Sequence, residues 1–208
     1  MDLTFYKMSP LEQWITDKYT EHSIYTPKDL DIHRIASIFG GEITYLPTKS
    51  HARWEEDGTS EFMICLNSRL DEPHIRGEFF HELCHPLRHV GDQKMLPKAF
   101  RDLQETQASL FQQYAAIPIF MVSELDMPMY EKDFPYLWAH TFNIPVSLAA
   151  RRYNQIKGRI YQEKNDHELL SLEQNLYRKA DPANWCDEAK EMFRLAIQRK
   201  KDKGVVFE

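Results

Sequence analysis

Five residues, His81-Glu82-Leu83-Cys84-His85, constrain this chain more than any other stretch. On a helix, residues four apart lie about 40° apart around the axis and one turn apart along it. Both imidazoles can therefore reach one ion of the size of Zn²⁺, about 2 Å from each nitrogen. Glu82 projects beside them, near enough to take a proton from an activated water without entering the ligand set. This is the HExxH arrangement. Its flanks read as a one-sided helix. With His81 at zero on a helical wheel, Ile75, Phe79, Phe80, Leu83, Leu87 and Val90 fall between about 120° and 260°. His74, Glu78, His81, Glu82, His85 and His89 fall on the opposite side, so a His/Glu face turns to a cleft or to solvent.

What surrounds that helix is an ordinary amount of protein. The chain has 208 residues, a 42% hydrophobic fraction, 12 Phe, 10 Tyr and 4 Trp, enough for one core with room for an appendage. Extended disorder is excluded. A net charge of −6 argues against direct nucleic-acid binding, which needs a basic face. Cys65, Cys84 and Cys186 are odd in number and far apart, so neither a disulfide framework nor a Cys-rich zinc site is expected. The first residues, Met1-Asp2-Leu3-Thr4-Phe5-Tyr6-Lys7, lack the pattern of a secretory signal, and no run reaches the ~18 apolar residues of a membrane span. A cytoplasmic protein is expected.

Taken in order, Ser9-Pro10-Leu11-Glu12 is a capping box and predicts a helix to about His22. Thr26-Pro27-Lys28-Asp29 opens a second in the same way, with Leu30, Ile35, Ile38 and Phe39 as its stripe and Gly40-Gly41 as its end. It resembles part of a helix-turn-helix, but strand-like sequence follows it and no recognition helix. Glu42 to Leu46 alternates as a strand stopped by Pro47. Ala52 to Glu56 and Thr59 to Leu66 form a hairpin about Asp57-Gly58. A small antiparallel sheet of about three strands thus leads into the HExxH helix, which Asp71-Glu72-Pro73 starts.

Pro86 removes a backbone donor inside that helix and predicts a kink or an irregular turn. His89, a further turn on, drifts too far round to chelate comfortably and reads as an outer or surface histidine. The next helix runs from Lys98 to Ile117, stopped by Pro118. Phe100, Leu103, Leu110, Phe111 and Tyr114 form its bulky face; Glu105, Ala108, Ser109, Gln112 and Ala116 lie on the other, where small residues let another helix approach. Further helices are expected at Phe120 to Leu125, Asp133 to Phe142 and from Ser147. A last one, capped by Asp181-Pro182, has Trp185, Ala189, Met192, Phe193 and Ala196 as a single stripe and ends in Arg199-Lys200-Lys201, which suits its dipole. Cys84 turns to the core side, as a small buried residue.

Two histidines leave a catalytic zinc one protein ligand short. Asp92, Asp102, Glu105 and Glu124 are the downstream acids within reach. Phe79-Phe80-His81-Glu82-Leu83-Cys84-His85, followed by Glu105-Thr106-Gln107-Ala108-Ser109-Leu110-Phe111 and Pro118, resembles the ImmA/IrrE family of zinc metallopeptidases. His140-Thr141-Phe142-Asn143-Ile144-Pro145-Val146-Ser147, with Arg151 and Arg152 after it, is similar to that family's region beyond the metal site. Gln112 stands where the family often has Ala.

The resemblance covers about residues 30–156. It implies an α+β, zincin-like fold, mostly helical, with a metallopeptidase domain over 1–158; the tail, a helical extension over 159–208, is extra to the family pattern. The resemblance implies Zn²⁺ held by His81, His85 and Glu105, with Glu82 as general base. An oxyanion donor is also needed, and His140 and Tyr114 are the candidates. The implied activity is zinc-dependent cleavage of a protein substrate, a helix-turn-helix repressor of phage, mobile-element or stress genes. The alternative is a zinc-bearing module that holds its partner without cutting it. An intact Glu82 opposes that alternative, because a structural site has no use for a base.

Overall fold

The computed structural model describes residues 2–54, 61–89, 97–126, 128–176 and 182–202. Helix α1, Pro10–Glu21, begins where the Ser9 side chain accepts a hydrogen bond from Glu12 N–H, with Pro10 in the first turn. Its inward residues are Glu12, Ile15 and Tyr19. The Thr26 cap then closes only a 3₁₀ turn, Pro27–Asp29, in which the Asp29 carboxylate accepts from Thr26 N–H at 2.8 Å. The expected helix starts later. Leu30 is buried, and Asp31 supplies a fresh cap by accepting from Arg34 N–H at 2.7 Å, so α2 spans Ile32–Ile38. Two caps within five residues restart the helix rather than prolong it.

Gly40, at φ 83°, turns the chain out of α2 and into β1, Gly41–Leu46. Gly41 must lack a side chain, because a Cβ there would run into the Phe62 ring. β2 is His51–Trp54 and β3 is Phe62–Asn67; the Asp57-Gly58 turn lies outside the described residues. The sheet order is β1-β3-β2, with Ile64 opposite both Ile43 and Ala52. Three strands precede the HExxH helix as expected, but the sheet is mixed: β3 is antiparallel to β2 and parallel to β1. Burial explains the order. Phe62, Ile64, Cys65 and Leu66 are all buried, so β3 takes the centre and leaves β1 and β2 the edges. A strand inserted between its two predecessors in an up-down-up path must run parallel to the first.

Helix α3, Glu72–Arg88, has Asp71 as its cap, accepting from His74 N–H at 3.0 Å, and Pro73 in its first turn. It buries Phe79, Phe80, Leu83 and Cys84, the face that the wheel predicts. Pro86 does not break it into an irregular turn. The ring removes the bond to the Glu82 carbonyl, but so near the end that the helix runs on to Arg88, and His89 N–H still reaches the His85 carbonyl at 3.0 Å.

Helix α4, Lys98–Ala116, packs on α3 through its small residues: Ala108 is buried, and Gln112 Nε2 donates to the Gly77 carbonyl at 2.9 Å. Its bulky stripe divides. Phe111 and Tyr114 are core, whereas Phe100, Leu103 and Leu110 are exposed, because only the second half of α4 faces the core. Short α5, Ile119–Val122, and α6, Phe134–Phe142, follow; α6 ends at Asn143 with φ 50°. α7 is Val146–Leu176. The chain divides into two compact units, residues 1–163 and 164–208, and the division falls inside α7. Ile160 is buried in the core of the first unit.

In the second unit, Pro182–Asn184 form a 3₁₀ turn and α8 is Asp187–Asp202, five residues later than an Asp181 cap would start it. Acidic Asp187 and Glu188 open α8 and Arg199, Lys200 and Lys201 close it, as the dipole favours. Trp185 meets Phe193 edge-on at 5.1 Å, while Met192 and Phe193 remain exposed. Among the described residues no helix is long and apolar enough to cross a membrane.

Candidate metal centre

The packing of α4 on α3 brings together three groups from the two helices. His81 and His85 stand one turn apart on α3, with ring centroids at 5.3 Å. Glu105, on α4, lies with Oε2 at 3.2 Å from His81 Nε2 and Oε1 at 3.9 Å from His85 Nε2. One ligand atom from each of the three falls within 4.8 Å of the others. Two imidazoles and a carboxylate are the donor set of a catalytic site with an open fourth position.

The electrostatics fit a cation. Burial, with His81 and His89 adding their charge, holds His85 down to about 3, so its ring is neutral and has a lone pair to give. The His85 side chain is 5% exposed, that of His81 24% and that of Glu105 53%, so the group is closed around His85 and opens toward Glu105. Cys84 is buried, which pushes its thiol up to about 12, and it is not part of the group of side chains that could hold a metal.

Glu82 stands apart from the triad in what holds it. Its carboxyl is buried, and Ala52 N–H of strand β2 donates to Oε2 at 3.1 Å. Burial raises the carboxyl to about 7, with the charges of Glu78 and Glu105 adding to the rise. The Ala52 hydrogen bond and the Lys49 charge pull the other way. A carboxyl poised near neutrality beside a histidine pair has the properties of a general acid–base.

His89, an outer histidine by its spacing, is buried behind His85 and holds it: the two Nδ1 atoms are 2.9 Å apart. Its Nε2 is 3.2 Å from Gln107 Oε1. Gln107 has no sequence signal. Two residues past Glu105, it points about 200° away round the helix. It meets His89 where the chain leaves α3 in extended geometry, φ −112° and ψ 141°. Ala52 was equally invisible, since it contributes only its backbone.

Of the residues considered as oxyanion donors, Tyr114 is committed elsewhere. Its hydroxyl accepts from Arg159 Nη2 at 2.7 Å and Gln155 Nε2 at 3.4 Å, and the Arg152 guanidinium lies 4.9 Å over its ring. It is nine residues, roughly 13.5 Å, along α4 from Glu105. There it belongs to a buried cluster in which Arg152 pairs with Glu12 and donates to the Ile117 carbonyl at 3.2 Å, while Tyr6 donates to Glu12 at 2.7 Å. His140 is exposed in the last turn of α6 and makes no hydrogen bond or ion pair with the triad among the described residues. Asp102 offers its carbonyl to Thr106 at 2.8 Å, an ordinary turn of α4, and neither it nor Glu124 joins the triad; Asp92 lies outside the described residues.

Relatives carry the same stretch of chain. The sequence is 29% identical over 181 residues to the uncharacterised protein YqaB of Bacillus subtilis, covering 87% of this chain and 96% of that one. It is 26% identical over 178 residues to the phage-like element PBSX protein XkdA of the same organism, covering 84% and 88%. Residues 36–154, which include α3, α4 and all three members of the triad, match the IrrE N-terminal-like domain. With the triad in place, that match over more than half its length makes this chain a member of the IrrE N-terminal-like domain family, Peptidase_M78.

Proposed function

We propose that the protein is a zinc-dependent endopeptidase that cleaves a DNA-binding repressor. The observation that carries the reading is the convergence of His81, His85 and Glu105, with the buried carboxyl of Glu82 beside them. Zinc, when bound there, would supply Lewis acidity toward water and toward a peptide carbonyl. His81 and His85 would hold it from α3 and Glu105 from α4. Glu82 takes the proton at Oε1, since Oε2 is occupied by the Ala52 amide, and later returns it to the leaving amine. Strand β2 pairs with β3 on one side, so its other edge can receive an extended segment of substrate alongside Glu82. Tyr114 being engaged, His140 is the remaining oxyanion donor among those the sequence suggests.

The substrate class is supported by charge and kinship. A net charge of −6 suits a basic partner better than DNA itself, and one relative is named for a phage-like element, where a helix-turn-helix repressor is the fitting target. Incubating the purified protein with the repressor encoded beside its gene should give discrete fragments, and a chelator should abolish them. A stable, uncleaved complex in zinc-replete buffer would replace this reading with that of a binding module.

A further inference from the structure

His85 is gripped from the side away from the triad, and the grip has a direction. The Gln107 carbonyl oxygen, 3.2 Å from His89 Nε2, can only accept, so that nitrogen bears the His89 proton. In a neutral ring the other nitrogen is then a lone pair. His89 Nδ1, 2.9 Å from His85 Nδ1, therefore accepts, and His85 must donate from Nδ1. That leaves His85 Nε2 without a proton, and this is the atom that faces Glu105 Oε1. Reversing the chain would require Gln107 to present its NH₂. His89 would then donate to His85 Nδ1 and force the proton onto Nε2, where a cation would have to displace it. Two facing imidazoles have no preferred direction of their own, and in this pair the Gln107 amide favours one.

We propose that Gln107 and His89 are positioning residues which fix the tautomer of His85, so that its Nε2 carries a lone pair and no proton toward a cation held by the His81–His85–Glu105 group. The proposal rests on the metal reading of that group. His89 is 5% exposed and walled in, whereas Gln107 is exposed on α4, so it can be replaced without disturbing the core. Outer partners of metal-binding histidines are worth 10–100-fold in affinity as a rule.

The test uses the full-length chain with Gln107 unchanged, Gln107→Met and Gln107→Glu. Zinc affinity is read by competition with a chelator, and the tautomer of His85 by long-range ¹H–¹⁵N correlation on the metal-free protein. The unchanged chain should show His85 protonated at Nδ1. Gln107→Met should mix the tautomers and weaken zinc by about 10–100-fold. Gln107→Glu, which keeps the acceptor, should restore both. Unchanged affinity in Gln107→Met, or an Nε2 proton on His85 in the unchanged chain, would overturn the relay and leave the metal site standing. An unchanged chain that takes up no zinc would remove the metal reading and this proposal together.

Discussion

Helix α4 carries two polar clusters, one at its middle and one near its C-terminal end, and they are built on opposite plans. Around Tyr114 a carboxylate faces guanidinium groups and hydroxyls: Glu12 with Arg152, Arg159 and Tyr6. Acceptors there meet donors. Around Glu105 the groups that converge are two imidazole nitrogens and a carboxylate. Among the described residues no ion pair with a lysine or arginine closes them, although the Lys49 charge is felt at His85 and Glu82. The first cluster is complete as it stands and holds α1, α4 and α7 together. The second is a set of donors to something else. Burial of titratable groups is common to both, so burial alone does not mark a functional site. What marks it is a surplus of one kind of hydrogen-bonding partner.

The comparison breaks most visibly at Glu105. Glu105→Ala leaves two histidines, too few to hold zinc against a chelator, so metal analysis should find the ion lost and cleavage with it. Retention of zinc would move the third ligand elsewhere, with His89 first to examine. Glu82→Gln should do the converse, keeping about one zinc per chain while cleavage falls by ~10²–10⁴-fold, as for loss of a general base. Undiminished cleavage would sink the mechanism.

The other cluster should answer in stability and not in metal. Glu12→Ala strands the Arg152 charge, which is 0% exposed, and should cost about 3–5 kcal/mol in denaturant unfolding while the zinc affinity stays put. A loss of affinity without a loss of stability would mean that the clusters are coupled. The smallest effect is expected at Tyr114→Phe. Losing the hydroxyl that Arg159 bonds should cost about 1 kcal/mol and leave the turnover rate alone. A fall in rate of ~10²-fold or more would return Tyr114 to the list of oxyanion donors.

Much of the metal helix was legible from its sequence because every signal there is local. Asp71 and Pro73 start it, the 3.6-residue period names its buried face, and the His-Glu spacing sets its chemistry. Glu105 was not legible in that way. It shares no helix with the histidines, so spacing left four acids open, and only the family resemblance selected one. The parallel pairing of β1 with β3 was hidden for a related reason. Alternation identifies a strand but not its neighbour, and here the neighbour was decided by which strand was most apolar. Pro27 misled because a cap predicts a start and not a length. The Glu12–Arg152 pair, joining residues 140 positions apart, leaves no trace in either local sequence.

The amide of Ala52 ties the carboxyl of Glu82 to the outer edge of the sheet. In an antiparallel pair, successive residues turn their amides alternately toward the neighbouring strand and away from it. Ala52, opposite Ile64, is on the outward beat. Were β2 to form one residue out of step with β3, that amide would swing into the ladder and the carboxyl would lose its anchor. The aim of a group on a helix is thus settled by the bookkeeping of a hairpin, and an error in folding the strands would appear as a fault in chemistry.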